Sequence, residues 1–481
     1  MLEGLLPQIT VEPLITVNET LPGGYRFEAI PDGIAVDPRG TNTLDIYVNH
    51  ETSTVPFPAN QTDFDNAQMS RLVLKRGNGK ILWGEYAIPS SANYQRFCSN
   101  YFAGPEQGFD RPLVLTSEEA TDSVNRTGIA WPLGGGGSNP EQAGVVVAYD
   151  PALDQYRSIY GMGRLNHENA VAIPGFNEIV VLSGDDTFTS NPAGSQVYAY
   201  IADDADDVWN DEGSLWGFRA DNFATYNDYY DVPVGSGLSI PGELVQIPHA
   251  TAIGDQAALE AASDALGVFQ FVRIEDIAYD RNDPNVVYLA DSGRGATTAG
   301  GNAFTSSNGR IWKMVLDPAN PRNVVSLSVL IEGDDSPVKT LGEIHQPDNL
   351  ETTAGSLFIT EDPGSSQQFL FGSTDPNATT ARIWRYDLAS GAMAPILRVD
   401  QSADEGPTDV DGTTGIVAPG NLGAWEASGI VDVSQYFGRG AFLVTVQAHS
   451  LFVEKAPLPS NSTILQKREG GQLLLVRIPG A

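Results

Sequence analysis

Short apolar runs recur along this chain, each bounded by acidic or polar residues and by glycine or proline. They are too brief for helices and rich in Val, Ile, Leu and Tyr, so they read as strands. The runs come in pairs. Asp32–Asp37 is followed by Leu44–Val48 and then by Asn49, His50 and Glu51. The same order returns in Glu168–Ile173 with Ile179–Leu182, ending at Gly184, Asp185 and Asp186. It returns again in Glu275–Asp280 with Val286–Ala290, in Asp348–Leu350 with Ser356–Thr360, and in Glu426–Asp432 with Ala441–Val446. A degenerate copy starts near Cys98 and closes on Leu113–Thr116, Glu118 and Glu119. Further strand candidates follow four of the pairs, at Val145–Tyr149, Gln196–Tyr200, Arg310–Met314 and Arg382–Tyr386.

Six such units predict an all-β fold, a six-bladed β-propeller with long loops. Its ring would close by pairing the C-terminal Gln472–Ile478 with an N-terminal strand at Leu14–Val17. The chain is expected to form one domain over residues 1–481. The third and fourth units start 107 residues apart, 168 against 275. That gap predicts an insertion at about 203–268, over one face, with a short helix at Gln256–Leu266.

Propeller geometry brings the start of each first strand and the end of each second strand to one face, near the axis. Here those positions carry acids: Asp32, Glu168, Glu275, Asp348 and Glu426 at the starts, and Glu51, Glu118, Glu119, Asp185, Asp186, Asp291, Glu361 and Asp362 at the ends. Cys98, His50, His167 and His449 fall in the same layer. Acids also bound strands because turns favour them. A convergent set, however, cannot all stay ionised without raised pKa values or bound cations. Hard oxygen donors at this density suit calcium, and an added thiolate suits a transition metal such as iron. Arg273 stands two residues before Glu275, on the same side of an extended segment. A guanidinium beside a metal-binding carboxylate cluster suits an oxyanion, or else neutralises its neighbour. Arg164 is a second such candidate. Cys98 on its own reads as a buried small hydrophobe rather than a chemically used thiolate, since free cysteines are usually buried.

Charge narrows the partners. The chain has 61 acidic against 27 basic residues, a formal net charge of −34. This argues against nucleic acid and against anionic membrane surfaces. No apolar run is long enough to span a bilayer as a helix. One cysteine allows no intrachain disulfide. The glycine-rich loop at 134–138 lacks the following Lys-Ser/Thr of a phosphate-binding loop, and no nucleophile elbow is present.

Several of these segments resemble the PhoX-type alkaline phosphatases. Gly163–Ala170 with Gly184–Asp186 is similar to that family's GR-x-x-HE…DD region. Tyr47–Glu51, Leu115–Glu119, Arg273–Glu275 and Gln346–Asn349 resemble its other landmarks in the same order. The resemblance runs over roughly residues 30–450. Its usual Cys-Ala-Gly-Gly-x-Thr-Pro-Trp-Gly-Thr stretch is replaced by Phe97-Cys98-Ser99-Asn100 and a longer spacer to Glu118. The resemblance implies a secreted or periplasmic, metal-dependent phosphomonoesterase, expected to be a monomer acting on small phosphate esters. It implies calcium and iron held by Glu51, Cys98, Glu118, Glu119, Glu168, Glu275 and Asp348, with Arg273 and Arg164 as catalytic residues. A calcium-stabilised propeller for binding or adhesion, or a propeller phosphodiesterase or lactonase, are the alternatives.

Overall fold

The structure, a computed structural model, describes residues 1–38, 40–56, 60–126, 141–189, 192–294, 308–333, 342–363, 379–402 and 423–481. The glycine-rich loop at 134–138 lies outside the described residues. The apolar runs form antiparallel meanders in which burial falls from the first strand to the last. In the first meander Pro31–Asp37 and Thr43–His50 are almost wholly buried, whereas Ile81–Ile88 at the outer edge is only partly buried. Strands wetted on neither face must be apolar on both, which explains their continuous hydrophobic runs.

Six four-strand meanders of this kind can be traced among the described residues. Their inner strands are Pro31–Asp37, Phe97–Ala103, His167–Ala172, Ile274–Tyr279, Pro347–Thr352 and Trp425–Asp432. Each touches the next, and the last touches the first, so the strands close into the ring of a β-propeller. Neighbouring meanders pack through aromatic pairs such as Tyr47 with Tyr149 (centroids 5.6 Å apart) and Phe358 with Phe442 (4.7 Å). The expected closure forms as Thr10–Thr16 pairs antiparallel with Asn461–Arg477. Leu2–Gly4 also joins the outer edge of the fifth meander beside Met393–Val399, a contact absent from the sequence pattern.

The stretch at 203–268 is only partly an excursion from the sheet. Ser214–Ala220 is the fourth strand of the third meander, and Ile240–Gln246 bridges it to Asn320–Glu332 of the fourth. The two meanders thereby share one nine-stranded sheet. The expected helix forms at Gln256–Leu266, capped by the Asp255 side chain, which accepts from the Ala258 N–H.

All six inner strands break register at the same place. The ladder slips between Pro31 and Ile34, Phe97 and Asn100, His167 and Ala170, Ile274 and Ile277, Pro347 and Leu350, and Ala427 and Ile430. Bulges re-aim side chains, and here they divide the channel. The first of the two bulge residues faces an acidic cavity at one end in five of the strands. The second residues, Gly33, Ser99, Asn169, Asp276, Asn349 and Gly429, line a cavity of about 320 Å³ at the other. Between the two, Asn349 Nδ2 of the fifth meander donates to Ser99 Oγ of the second at 3.2 Å. Asn169 Nδ2 donates to Asp276 Oδ1 beside this bar. Gly33 and Gly429 fill the remaining side, where no side chain fits: a Cβ on Gly33 would stand 2.4 Å from the Asn100 nitrogen. Gly33→Ala is therefore expected to destabilise the protein by about 1–3 kcal/mol through overpacking against backbone. Gly355→Ala, which meets open space, is its control in a thermal melt.

Candidate metal centre and active site

The bulges place Asp32, Cys98, Glu168, Glu275 and Asp348 at equivalent positions; Ser428 takes the sixth. A second set comes from the strand beside each. The last residue of that strand points away from the axis and the next points toward it, following the two-residue period. The inward residues are Glu51, Glu119, Asp186, Ser292 and Asp362. Each is fixed by the same bond, its N–H donating to the carbonyl of the residue before the inner strand. The acceptors are Ile30, Arg96, Asn166, Arg273 and Gln346, at 2.9–3.1 Å. Three of them, Ile30, Arg96 and Gln346, hold positive φ angles of 48°, 43° and 53°. For a β-branched residue such as Ile30 that is strained backbone, a cost of order 1–3 kcal/mol carried at this face.

The resulting cavity measures about 180 Å³. Among the described residues it is lined by Asp32, Glu51, Glu119, Glu168, Asp186, Glu275, Asp348, Asp362 and Glu426, together with Cys98 and Phe188. The only cationic groups in that lining are Arg273 and His449. Three sets of side chains bring ligand atoms within 4.8 Å of one another: Asp32–Cys98–Glu168, Glu51–Cys98–Glu119 and Glu168–Glu275–Asp348. Cys98 and Glu168 each belong to two sets, so the three are contiguous.

Burial drives most of these acids toward their neutral forms, and neighbouring charges add to it. Burial raises Glu168 well above the usual carboxylate range, helped by Glu275, Glu119, Asp32 and Asp348. Burial, then Asp186 and Glu51, do the same to Glu119. Burial raises Asp348 with Glu426 and Glu275 beside it. Asp32 is pushed up to about 6 and Glu51 to about 8, in each case chiefly by burial. The Cys98 thiol, raised by burial and by Glu168, donates to Glu119 Oε2 at 3.1 Å. Two carboxylates 4.8 Å apart repel by about 3.5 kcal/mol at an effective dielectric of ~20. The donor set fits bound cations: buried, oxygen-rich, and short of positive charge.

Arg273 crosses this cluster. Its Nε and Nη2 donate to Asp186 at 2.8 and 2.9 Å, and Nη2 lies 2.6 Å from Glu275. Burial would lower its pKa, but Asp186 and Glu275 outweigh this and hold the guanidinium charged. Nη1 has no partner among the described residues. His449 is likewise kept charged: burial opposes its proton, and Glu469 (2.8 Å from Nδ1) and Glu426 (3.8 Å from Nε2) retain it.

Of the residues proposed from sequence, the structure gathers Glu51, Cys98, Glu119, Glu168, Glu275, Asp348 and Arg273 around this cavity. It does not place Glu118 or Arg164 there. Glu118 is the last residue of its strand and points away from the cavity, where it accepts from Arg126 at 2.6 Å and from the N–H groups of Gln95, Gly144 and Val145. Asp291 and Glu361 are structural acids of the same register, taking the indole N–H groups of Trp312 and Trp384. Arg164 donates to the Gln142 carbonyl and Glu141, and stacks on Tyr160. In the sixth unit the bulge falls two residues after Glu426, which nevertheless lines the cavity. Sequence reasoning missed Phe188, because a single aromatic in a polar stretch carries no period.

The characteristic sequence pattern of the Alkaline phosphatase PhoX family matches residues 99–402. The chain belongs to that family. With the PhoX family comes the enzyme class, an alkaline phosphatase hydrolysing phosphoric monoesters. The match begins one residue after Cys98, so this cysteine rests on its geometry. In fold, the chain is similar to Pseudomonas fluorescens PhoX in complex with vanadate, a transition state analogue. The two share 16% identity over 99% of this chain and 96% of that one, with a TM-score of 0.65. A likeness to Penicillium chrysogenum alpha-L-arabinanase complexed with arabinobiose is weaker, at 10% identity, 97% and 98% coverage and a TM-score of 0.40. No curated protein matches in sequence. No helix among the described residues is long and apolar enough to cross a membrane.

Raised carboxylate pKa values carry a sign. Stability tied to a neutral buried acid is complete below its unfolded pKa, roughly 4, and is lost as pH rises through the folded value. Chelator-treated protein should therefore melt at progressively lower temperature as pH climbs from about 4 past the values of Asp32, about 6, and Glu51, about 8. Added calcium should flatten that slope. Melting curves across pH, with and without calcium, measure both.

Proposed function

We propose that the acidic cavity is a multi-metal phosphatase centre, and the single observation carrying this is the three contiguous ligand sets within 4.8 Å. The sets that include Cys98, with Asp32, Glu51, Glu119 and Glu168, suit iron because a thiolate is a soft ligand. The set Glu168–Glu275–Asp348 is all oxygen and suits calcium. Bound there, such metals would polarise the phosphoryl oxygens and offset the carboxylate charge that otherwise repels an anion. The protein's own groups do the rest. Asp186 and Glu275 hold the Arg273 guanidinium in place and leave Nη1 for a phosphoryl oxygen, charge it can stabilise as the transition state forms. Ser292 donates to Glu275 Oε1 at 2.7 Å and Ser99 to Glu168 Oε1 at 3.2 Å, fixing which carboxylate oxygens remain for metal. We read the six meanders as six blades of one domain, working as an exported monomer on small phosphate esters.

Arg273→Ala should lower kcat/KM on p-nitrophenyl phosphate by about 10²–10³-fold, the cost of losing one oriented donor to developing charge. Full activity in that variant would remove Arg273 from the site. Arg164→Ala should act on stability instead, by about 1–3 kcal/mol through its bonds to Gln142 and Glu141. Elemental analysis of Cys98→Ser beside the parent protein tests the division of metals: iron should fall and calcium persist.

A further inference from the structure

Phe188 stands out at the mouth of the acidic cavity. Among the described residues it is the one apolar side chain in a lining otherwise made of ionisable groups. It is also left open to solvent, at 50% exposure. Solvent-facing apolar rings are ordinary when scattered singly over a surface. One at the rim of a charged chamber needs a reason, because its neighbours favour water and it does not.

Its position is set from below. The Arg273 guanidinium lies over the ring at 4.5 Å and that of Arg294 at 5.7 Å, both within cation–π range. Arg273 is buried beneath, bonded to Asp186 and Glu275. The ring thus rests on a group that is itself held in place, with half of its surface still free. Asp186, which orients Arg273, lies two residues before Phe188 in the same segment. The phosphoryl-binding arginine and the ring are therefore fixed relative to one another by a few bonds of chain and one stacking contact.

Resting on the phosphatase reading above, we infer that Phe188 is a platform for the leaving group and biases the enzyme toward phosphate esters of planar aromatic alcohols. A phosphoryl group directed to Arg273 and the metal-binding carboxylates leaves the ester oxygen and its substituent toward the mouth. The open part of the Phe188 ring is there to receive it. A flat ring gains an offset or edge contact there, worth roughly 0.5–1.5 kcal/mol beyond its buried area, whereas a short alkyl chain gains only area.

The test compares two substrates in one protein. In the metal-loaded enzyme, the ratio of kcat/KM for phenyl phosphate to that for ethyl phosphate should fall about fivefold in Phe188→Ala, equal to ~1 kcal/mol at 1.4 kcal/mol per tenfold. Phe188→Trp should retain the ratio. The change should sit mainly in KM. Inhibition constants for phenylphosphonate and methylphosphonate, which do not react, should move in the same proportion. An unchanged ratio in Phe188→Ala overturns the inference, including the case in which both esters lose activity equally because Arg273 has been displaced. If the parent enzyme hydrolyses neither ester, the phosphatase reading fails instead, and the phosphonate pair still decides whether Phe188 prefers an aromatic ligand.

Discussion

Inserting one extra residue into each inner strand turns two consecutive side chains toward the axis where an unbroken strand would turn one. Because the insertion recurs at the same height in all six inner strands, the axis acquires two stacked rings of side chains. The upper ring carries Asp32, Cys98, Glu168, Glu275 and Asp348. The lower ring is neutral or small except for Asp276, whose oxygens are taken by Asn169 and by the Leu350 and Ile277 N–H groups. Without the slip in register, the first residue of each pair would point elsewhere and the ligand sets would not meet. Fold and chemistry share this one device.

Its cost is electrostatic. Among the described residues, nine carboxylates and a thiol face a cavity whose cationic lining is one guanidinium and one imidazolium. The backbone contributes strain at Ile30, Arg96 and Gln346. Such a face survives because the rest of the ring is packed with continuous apolar strands and closed through the Thr10–Thr16 pairing. The acids in the neighbouring register show the opposite solution. Glu118, Asp291 and Glu361 are just as buried, yet each is met by N–H donors or arginine from its own meander and its flanking segments. One residue of offset along a strand separates a structural acid from a site acid.

That offset explains what could be read from sequence. The six units, their pairings, the closing strands and the layer of acids were all visible, because apolar runs and polar punctuation repeat with the blades. Glu51, Cys98, Glu119, Glu168, Glu275, Asp348 and Arg273 were legible for the same reason. Glu118 could not be told from Glu119, since adjacent acids have the same chemistry and only the strand's phase divides them. Arg164 sits in a segment with family likeness, but its direction depends on Tyr160 and Glu141, contacts that no local pattern encodes. The span at 203–268 looked like an insertion because its strand Ser214–Ala220 lies far along the chain from the next inner strand, while pairing within its own blade.

The bond from Asn349 to Ser99 joins blades on opposite sides of the ring, and the glycines and the Asn169–Asp276 pair close the space beside it. A propeller is often pictured as pierced from end to end, but among the described residues the axis of this one is barred between its two cavities. With the phosphatase centre read at the acidic face, a product that does not pass this bar departs on the side it entered, and there inorganic phosphate and the next ester contend. On that reading, traffic on the acidic side, rather than access from the far side, is what each turnover has to manage.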